Sequence, residues 1–250
     1  MPTHLYCVLA PARTEALPSG LTGIGGAPVR SLSFGASGAM EAWVSTVDDA
    51  TVRATGDTLA THALIHNEVV NAALRTGRTP APARYGSNFS DDLTCVADLD
   101  RRSAALAAIL ERIADSVEMA VLLVPTNRVA KIEVARPSSS EHAAGRRYLD
   151  SVRHRTQEEQ RRRASADAEA GQLGSVVGRY IRGEVRSIAP TGVMSVAHLV
   201  RNADVTAYRN AVATFVPGGA FRIVPGEARA PYSFADSRLD HTGHDSGSHT

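Results

Sequence analysis

The sequence predicts an α+β fold in two domains, residues 1–90 and 91–235, followed by a Ser/Gly/Asp/His-rich tail over 236–250 that is expected to be disordered. Three observations lead there. Residues 5–10 (LYCVLA) and 119–124 (MAVLLV) are nearly unbroken apolar runs of strand length, the pattern of strands covered on both faces, and each opens one half of the chain. Stripes of apolar residues at helical spacing lie between and after them. From Met119 onward the elements also alternate in an order that few architectures share.

The first run reads as a mid-sheet strand. The glycine-rich stretch GIGGAP (23–28) follows, but a strand-like run (VRSLSF, 29–34) comes after it where a phosphate loop needs a helix, so a plain turn is expected. Residues 29–34 and 40–47 are two strands joined through GASG, with Trp43 the large aromatic of this half. From 57 to 76 the positions Leu59, Ala63, Val70, Ala73 and Leu74 mark a helical stripe ending at Gly77. His62 and His66 fall on that stripe; without HExxH or a third ligand at a recognisable spacing, they read as partly buried, hydrogen-bonded histidines.

The stretch TPAPARYGSNFSDDL (79–93) is extended under Pro80 and Pro82 and turns at Gly86, and reads as a hinge between the halves, with Arg84 tying them together. Ser90 is the expected N-cap of one continuous helix through Leu93, Val96, Leu106, Ile109, Leu110, Ile113 and Val117. The second apolar strand follows. Ser138 and Glu141 have capping-box spacing and open a long helix marked at its far end by Leu173, Val176, Val177, Tyr180 and Ile181. Its middle, 153–172, has no apolar residue larger than Ala and is expected to project into solvent, helped by Glu158–Arg162 and Glu159–Arg163 pairs. The triplet Arg161-Arg162-Arg163 lacks stacking aromatics and has acidic neighbours, so it reads as a solvated face and no nucleic-acid partner is expected.

Residues 185–188 and 193–199 flank Ala189-Pro190-Thr191-Gly192, which suits a type I turn and a hairpin. A helix through Val205, Tyr208, Val212 and Phe215 and a last strand at 221–224 complete the order strand, helix, strand, strand, helix, strand. That is the split βαβ pattern, so the C-terminal domain is expected to be a modified ferredoxin-like fold with a long polar helical insertion.

The totals set bounds. A chain of 250 residues and 26.4 kDa buries roughly 70% of its unfolded surface without disulfide staples. Lys plus Arg (27) nearly equals Asp plus Glu (26), so the global field selects no nucleic acid or acidic surface. Cys7 and Cys95 sit apart in apolar stretches and read as buried reduced thiols, which points to the cytoplasm. No run approaches the roughly 18 apolar residues of a spanning helix, so membrane insertion is not expected. His241, His244 and His249 read as an incidental part of the polar tail.

Several ordered stretches together carry a family resemblance. They are THLYCVLAP at the start, His66-Asn67-Glu68-Val69-Val70 in the helix, PAPARYGSNFSDD with Arg84, Tyr85 and Gly86 on an Arg-Phe-Gly signature, and VEMAVLLV after a Glu. Two more follow: AAGRRYLDSVR with Gly145, Arg146, Tyr148 and Leu149, and APYSFAD with Pro231, Tyr232 and Phe234. The chain resembles the gas vesicle accessory proteins GvpL and GvpF over all but its tail. Tyr85 stands where the family has Phe, and GEARAPYSF lacks the family's Trp.

The resemblance implies a non-enzymatic accessory or minor structural protein of gas vesicle formation, contacting the hydrophobic shell protein GvpA and other accessory proteins, in the cytoplasm and at the gas vesicle. It implies no catalytic residue, cofactor or metal. Arg84, Tyr85, Gly86, Gly145, Arg146, Tyr148, Tyr232 and Phe234 become family-motif and candidate interface residues. The alternative is a small-molecule or nucleotide-binding enzyme on a ferredoxin-like scaffold, with His62, His66 and Glu68 as its polar site.

Overall fold

A computed structural model describes residues 1–11, 17–126 and 141–235, without the side chains of 141–151 and 155. The tail over 236–250 and the capping Ser138 lie outside the described residues. The protein is mixed α and β with two antiparallel sheets. The contacts of the described residues gather into two units, one made of those in 1–118 and 228–235, the other of those in 119–227.

In the first unit, β1 (Thr3–Leu9) has β3 (Met40–Thr46) on one side, and β3 in turn pairs with β2 (Arg30–Phe34). All seven residues of β1 are buried, as the unbroken apolar run anticipates. A one-turn helix α1 (Asp49–Val52) leads to α2 (Gly56–Arg75), whose buried face is His66, Val69, Val70, Ala72 and Ala73. Leu59, expected in that stripe, is exposed. Val69, Val70 and Ala73 pack in one core with Tyr6, Leu9, Ile24, Trp43 and Val47.

The stretch at 79–93 is not a hinge. It runs antiparallel along the free side of β1 as two short strands, β4 (Ala81–Pro82) on Cys7 and Val8 and β5 (Asn88–Phe89) on Thr3 and His4. Residues 83–87 bulge out between them. Pro80 and Pro82 fit an edge, where a missing N–H leaves no ladder bond unmade.

The expected helix from Ser90 is two helices, α3 (Asp92–Arg101) and α4 (Ser103–Ile113), broken at Arg102, and its cap is Asp91, whose carboxylate accepts from Thr94 N–H at 2.7 Å. Both belong to the first unit, so the contacts do not divide the chain at 90/91. The reason is visible at Asp92, which takes a bidentate pair from Arg30 of β2 (2.5 and 3.1 Å) and the Thr3 hydroxyl of β1 (2.6 Å). Asp115, at φ +54°, then turns the chain into β6 (Ser116–Pro125).

The second sheet has the order β7-β8-β6-β9, built from β6, β7 (Ile181–Ile188), β8 (Met194–Arg201) and β9 (Phe221–Arg229). β7 and β8 form the expected hairpin: Gly192 N–H donates to Ala189 O at 2.8 Å, with Gly192 at φ +80° closing the turn. Ile181, assigned from sequence to the end of the long helix, starts β7 instead. β9 outruns its expected end because Pro225 sits on an edge strand.

The long helix α5 (Glu141–Val177) is polar as expected and exposed over 156–165. Its last turns are not outside the core. Ala166 and Ala170 are fully buried with Leu123, Met194, Val196 and Phe221, and Leu173 and Val177 are buried further along the same stripe. Small side chains let a helix approach a sheet closely, and a reading by side-chain size misses them. Helix α6 (Val205–Thr214) completes the unit and buries Tyr208 and Val212.

Candidate functional site

The family-motif residues fall in three places. Arg84, Tyr85 and Gly86 form the tip of the bulge between β4 and β5, with Arg84 and Gly86 exposed and Tyr85 half-buried. Gly86 has φ +93° and open space around the position of a side chain, so its requirement is conformational. Both ends of the bulge are tied to β1: Ala83 N–H donates to Tyr6 O and Leu5 N–H to Ser87 O, each at 2.9 Å. The Arg84 carbonyl accepts from the N–H and hydroxyl of Ser87, at 3.2 and 2.9 Å.

Beneath the bulge lies a buried histidine pair. His4 Nε2 is 2.9 Å from His66 Nδ1, His66 Nε2 donates to Ala83 O at 2.9 Å, and His4 Nδ1 is 2.7 Å from Asn88 Oδ1. Tyr6 packs edge-on to His4 at 4.9 Å between ring centroids, and Tyr85 covers the pair at 5.7 and 6.1 Å. Burial lowers His4 to about 4, against the pull of Asn88, and lowers His66 to about 3, with His4 adding to the effect. Tyr6 is pushed up by burial while its hydroxyl meets Ser45 Oγ and accepts from Ile24 N–H, both at 2.8 Å.

The second place is the C-terminal motif. Tyr232 packs half-buried on the core of the first unit, and Phe234 is 8% exposed with its carbonyl accepting from Arg112. The third, Gly145, Arg146 and Tyr148, lies in the first turns of α5; its side chains are outside the described residues.

The trio His62, His66 and Glu68 does not converge. Residues two apart on a helix point to nearly opposite faces. His66 faces the core, whereas Glu68 is exposed and 3.5 Å from Arg75. Among the described residues no group of three His, Cys, Asp or Glu is placed to hold a metal. An open cavity of about 400 Å³ lies elsewhere, lined by Arg30, Asp91, Asp92 and Leu93 among others, and its central ion pair is already satisfied.

Sequence reasoning missed His4 as a partner of His66 and missed a second buried histidine, His198. The latter bonds Tyr208 of α6 (2.7 Å) and Glu184 of β7 (3.0 Å), and Arg186 holds the other Glu184 oxygen at 2.6 Å. The available signal was a histidine between apolar neighbours, Val196, Ala197, Leu199 and Val200, in a strand. Cys7 and Cys95 are buried free thiols, as expected, and burial pushes Cys95 up to about 12.

The family model for the gas vesicle synthesis protein GvpL/GvpF matches residues 2–236. The chain belongs to this family. No curated protein matches it. Among solved structures, it is similar to the gas vesicle protein GvpF from Anabaena sp. PCC7120, with a TM-score of 0.68, 17% identity, and coverage of 97% of this chain and 99% of that one. It is also similar to GvpF from Microcystis aeruginosa, with a TM-score of 0.64, 15% identity and coverage of 94% and 99%. At these identities the likeness is one of fold. Among the described residues no helix is long and apolar enough to cross a membrane.

Proposed function

We propose that this GvpL/GvpF family member is a non-enzymatic accessory or minor structural protein of gas vesicle formation, in the cytoplasm and at the vesicle, that contacts the shell protein GvpA and other accessory proteins. The family match over residues 2–236 carries this reading. The order β6, α5, β7, β8, α6, β9 and the sheet order β7-β8-β6-β9 support a modified ferredoxin-like second domain with α5 as its long polar extension. Such a scaffold names no chemistry of its own.

We assign partner contact to the bulge of Arg84, Tyr85 and Gly86 and to the start of α5 at Gly145, Arg146 and Tyr148. The bulge is exposed at its tip and fixed at its base, the combination that lets a surface bind without a large ordering cost. Tyr232 and Phe234, turned into the core, are assigned a closing role. The test is capture of GvpA on the immobilised full chain, compared with Tyr85→Ala. Retention by the parent and loss in the folded variant is expected; a parent that retains no GvpA would overturn the reading.

A further inference from the structure

Four groups form one hydrogen-bond chain beneath the bulge, Ala83 O, His66, His4 and Asn88, through links of 2.9, 2.9 and 2.7 Å. Of its two ends, Ala83 opens the bulge and Asn88 follows it. A carbonyl oxygen only accepts, so His66 Nε2 carries a hydrogen. In neutral His66 the Nδ1 is then a bare acceptor, and the hydrogen of the histidine–histidine link belongs to His4 Nε2.

Neutral His4 is left with a bare Nδ1, which needs a donor. Asn88 supplies one with its amide NH₂ turned to the ring. With Asn88 Oδ1 on the ring, His4 must carry hydrogens on both nitrogens. The two orientations of one amide therefore match two protonation states of one histidine.

We propose that this chain is a one-proton switch: His4 takes a proton from solvent as Asn88 turns its amide over, and the turn is passed to β5 and the bulge at 83–87. A second proton has no place. On His66 Nδ1 it would put two hydrogens into the 2.9 Å link, so the rings must separate and the hold on Ala83 is lost.

The titratable groups facing the pair are Tyr6 from β1, Tyr85 from the bulge and His62 from α2. From β3 comes Ser45, through Tyr6, and among the described residues no carboxylate hydrogen-bonds either ring. Burial keeps both histidines neutral near pH 7, so the resting arrangement is the one with the amide NH₂ on His4. As control of partner binding the switch rests on the docking role proposed for Arg84 to Gly86; as a property of the fold it does not.

Ring-nitrogen NMR of the ¹⁵N-labelled full chain tests it. Near neutral pH both His4 and His66 are expected as Nε2–H tautomers. Toward about pH 4, His4 should become doubly protonated, with backbone shifts concentrated over 83–89. In Asn88→Asp, whose carboxylate only accepts, the His4 midpoint should rise by roughly one to three units. An Nδ1–H tautomer on either ring at neutral pH, or an unmoved midpoint in Asn88→Asp, overturns the switch. Should that variant not fold, the parent spectra still decide. GvpA capture at the same two pH values separates the roles. Capture indifferent to pH, with the ring behaviour intact, overturns the control of binding alone, and no capture at either pH overturns the docking role.

Discussion

Glu118 has no exposed surface, and its Oε2 accepts the backbone N–H of Ser233 at 2.7 Å. Its Oε1 takes the Arg229 guanidinium at 2.5 and 3.0 Å and the Ser233 hydroxyl at 3.1 Å. Glu118, the third residue of β6, and the C-terminal Pro231-Tyr232-Ser233-Phe234 are thus two halves of one contact. Glu118 is the buried partner and Arg229 is about half exposed, so removing the carboxylate, which leaves the Ser233 N–H unpaired, costs about 1 to 3 kcal/mol, and an amide, which keeps part of the bonding, costs less. Urea unfolding is expected to rank Glu118→Ala below Glu118→Gln and both below the parent. Two variants as stable as the parent would mean that the strap is not held by this carboxylate.

Phe234 is the apolar end of the same strap. At 8% exposure, with its carbonyl bonded by Arg112, it behaves as a core residue. Truncating such an aromatic costs about 3 to 5 kcal/mol, so Phe234→Ala is expected to melt well below the parent. A normally folded variant that has lost GvpA binding would instead return this motif to the interface.

Gly23 is required for space. Its φ of −106° suits any residue, but a Cβ there would lie 2.0 Å from Tyr6 Oη and 3.2 Å from Ser45 Oγ. Gly26 is the control, at φ +73° with nothing within 4 Å. Gly26→Ala is expected to cost about 1 to 2 kcal/mol from left-handed backbone strain. Gly23→Ala should cost more, because the clash displaces the Tyr6 hydroxyl and breaks its bonds to Ser45 and Ile24. Equal losses in the two variants would show that the Tyr6 network contributes little.

What the sequence made legible was whatever depends on local pattern. The apolar runs located β1 and β6, the 189–192 turn located the β7–β8 hairpin, and the polarity of 153–172 pointed to the exposed part of α5, which covers 156–165 and stops at the buried Ala166. What it hid depends on partners far along the chain. Pro80, Pro82 and Gly86 signal an interruption, but nothing local says that the segments on either side pair with β1. Arg30 and Asp92, 62 positions apart, pull α3 onto the first sheet, at a place where local composition predicts a boundary. His4 and His66 have the same separation, so their link has no signature in spacing.

Helix α5 offers a graded test. Hydrogen exchange is expected to be fast over 156–165, where every residue is exposed, and slow at Ala166, Ala170 and Leu173 and in α4 and β6. At the fully buried Ala170, Leu should overpack the site and cost about 1 to 3 kcal/mol. The same change at exposed Ala164 should be nearly silent. Uniform protection along α5, or equal effects of the two substitutions, would contradict the boundary at residue 165.

The buried histidines set the acid limit of stability. His4 and His66 have folded values of about 4 and about 3, below the ordinary 6.5, so both are neutral when folded and charge on unfolding. Between those values the unfolded chain binds more protons. Their contribution is fully present above pH 6.5 and is lost as pH falls toward 4 and then 3. His198, lowered mainly by burial against the pull of Glu184, adds in the same direction. Asp92, lowered chiefly by its hydrogen bond from Arg30, starts to lose its contribution only near its ordinary 3.8. The histidine window therefore opens first. At about 1.4 kcal/mol per pH unit, His4 alone is worth on the order of 3 kcal/mol across it. Unfolding free energy measured in urea from neutral pH down to about pH 4 should fall steadily, with a shallower slope in His4→Gln. A level profile across that range would mean that the pair is not held neutral in the folded protein, and the switch built on it would fail with it.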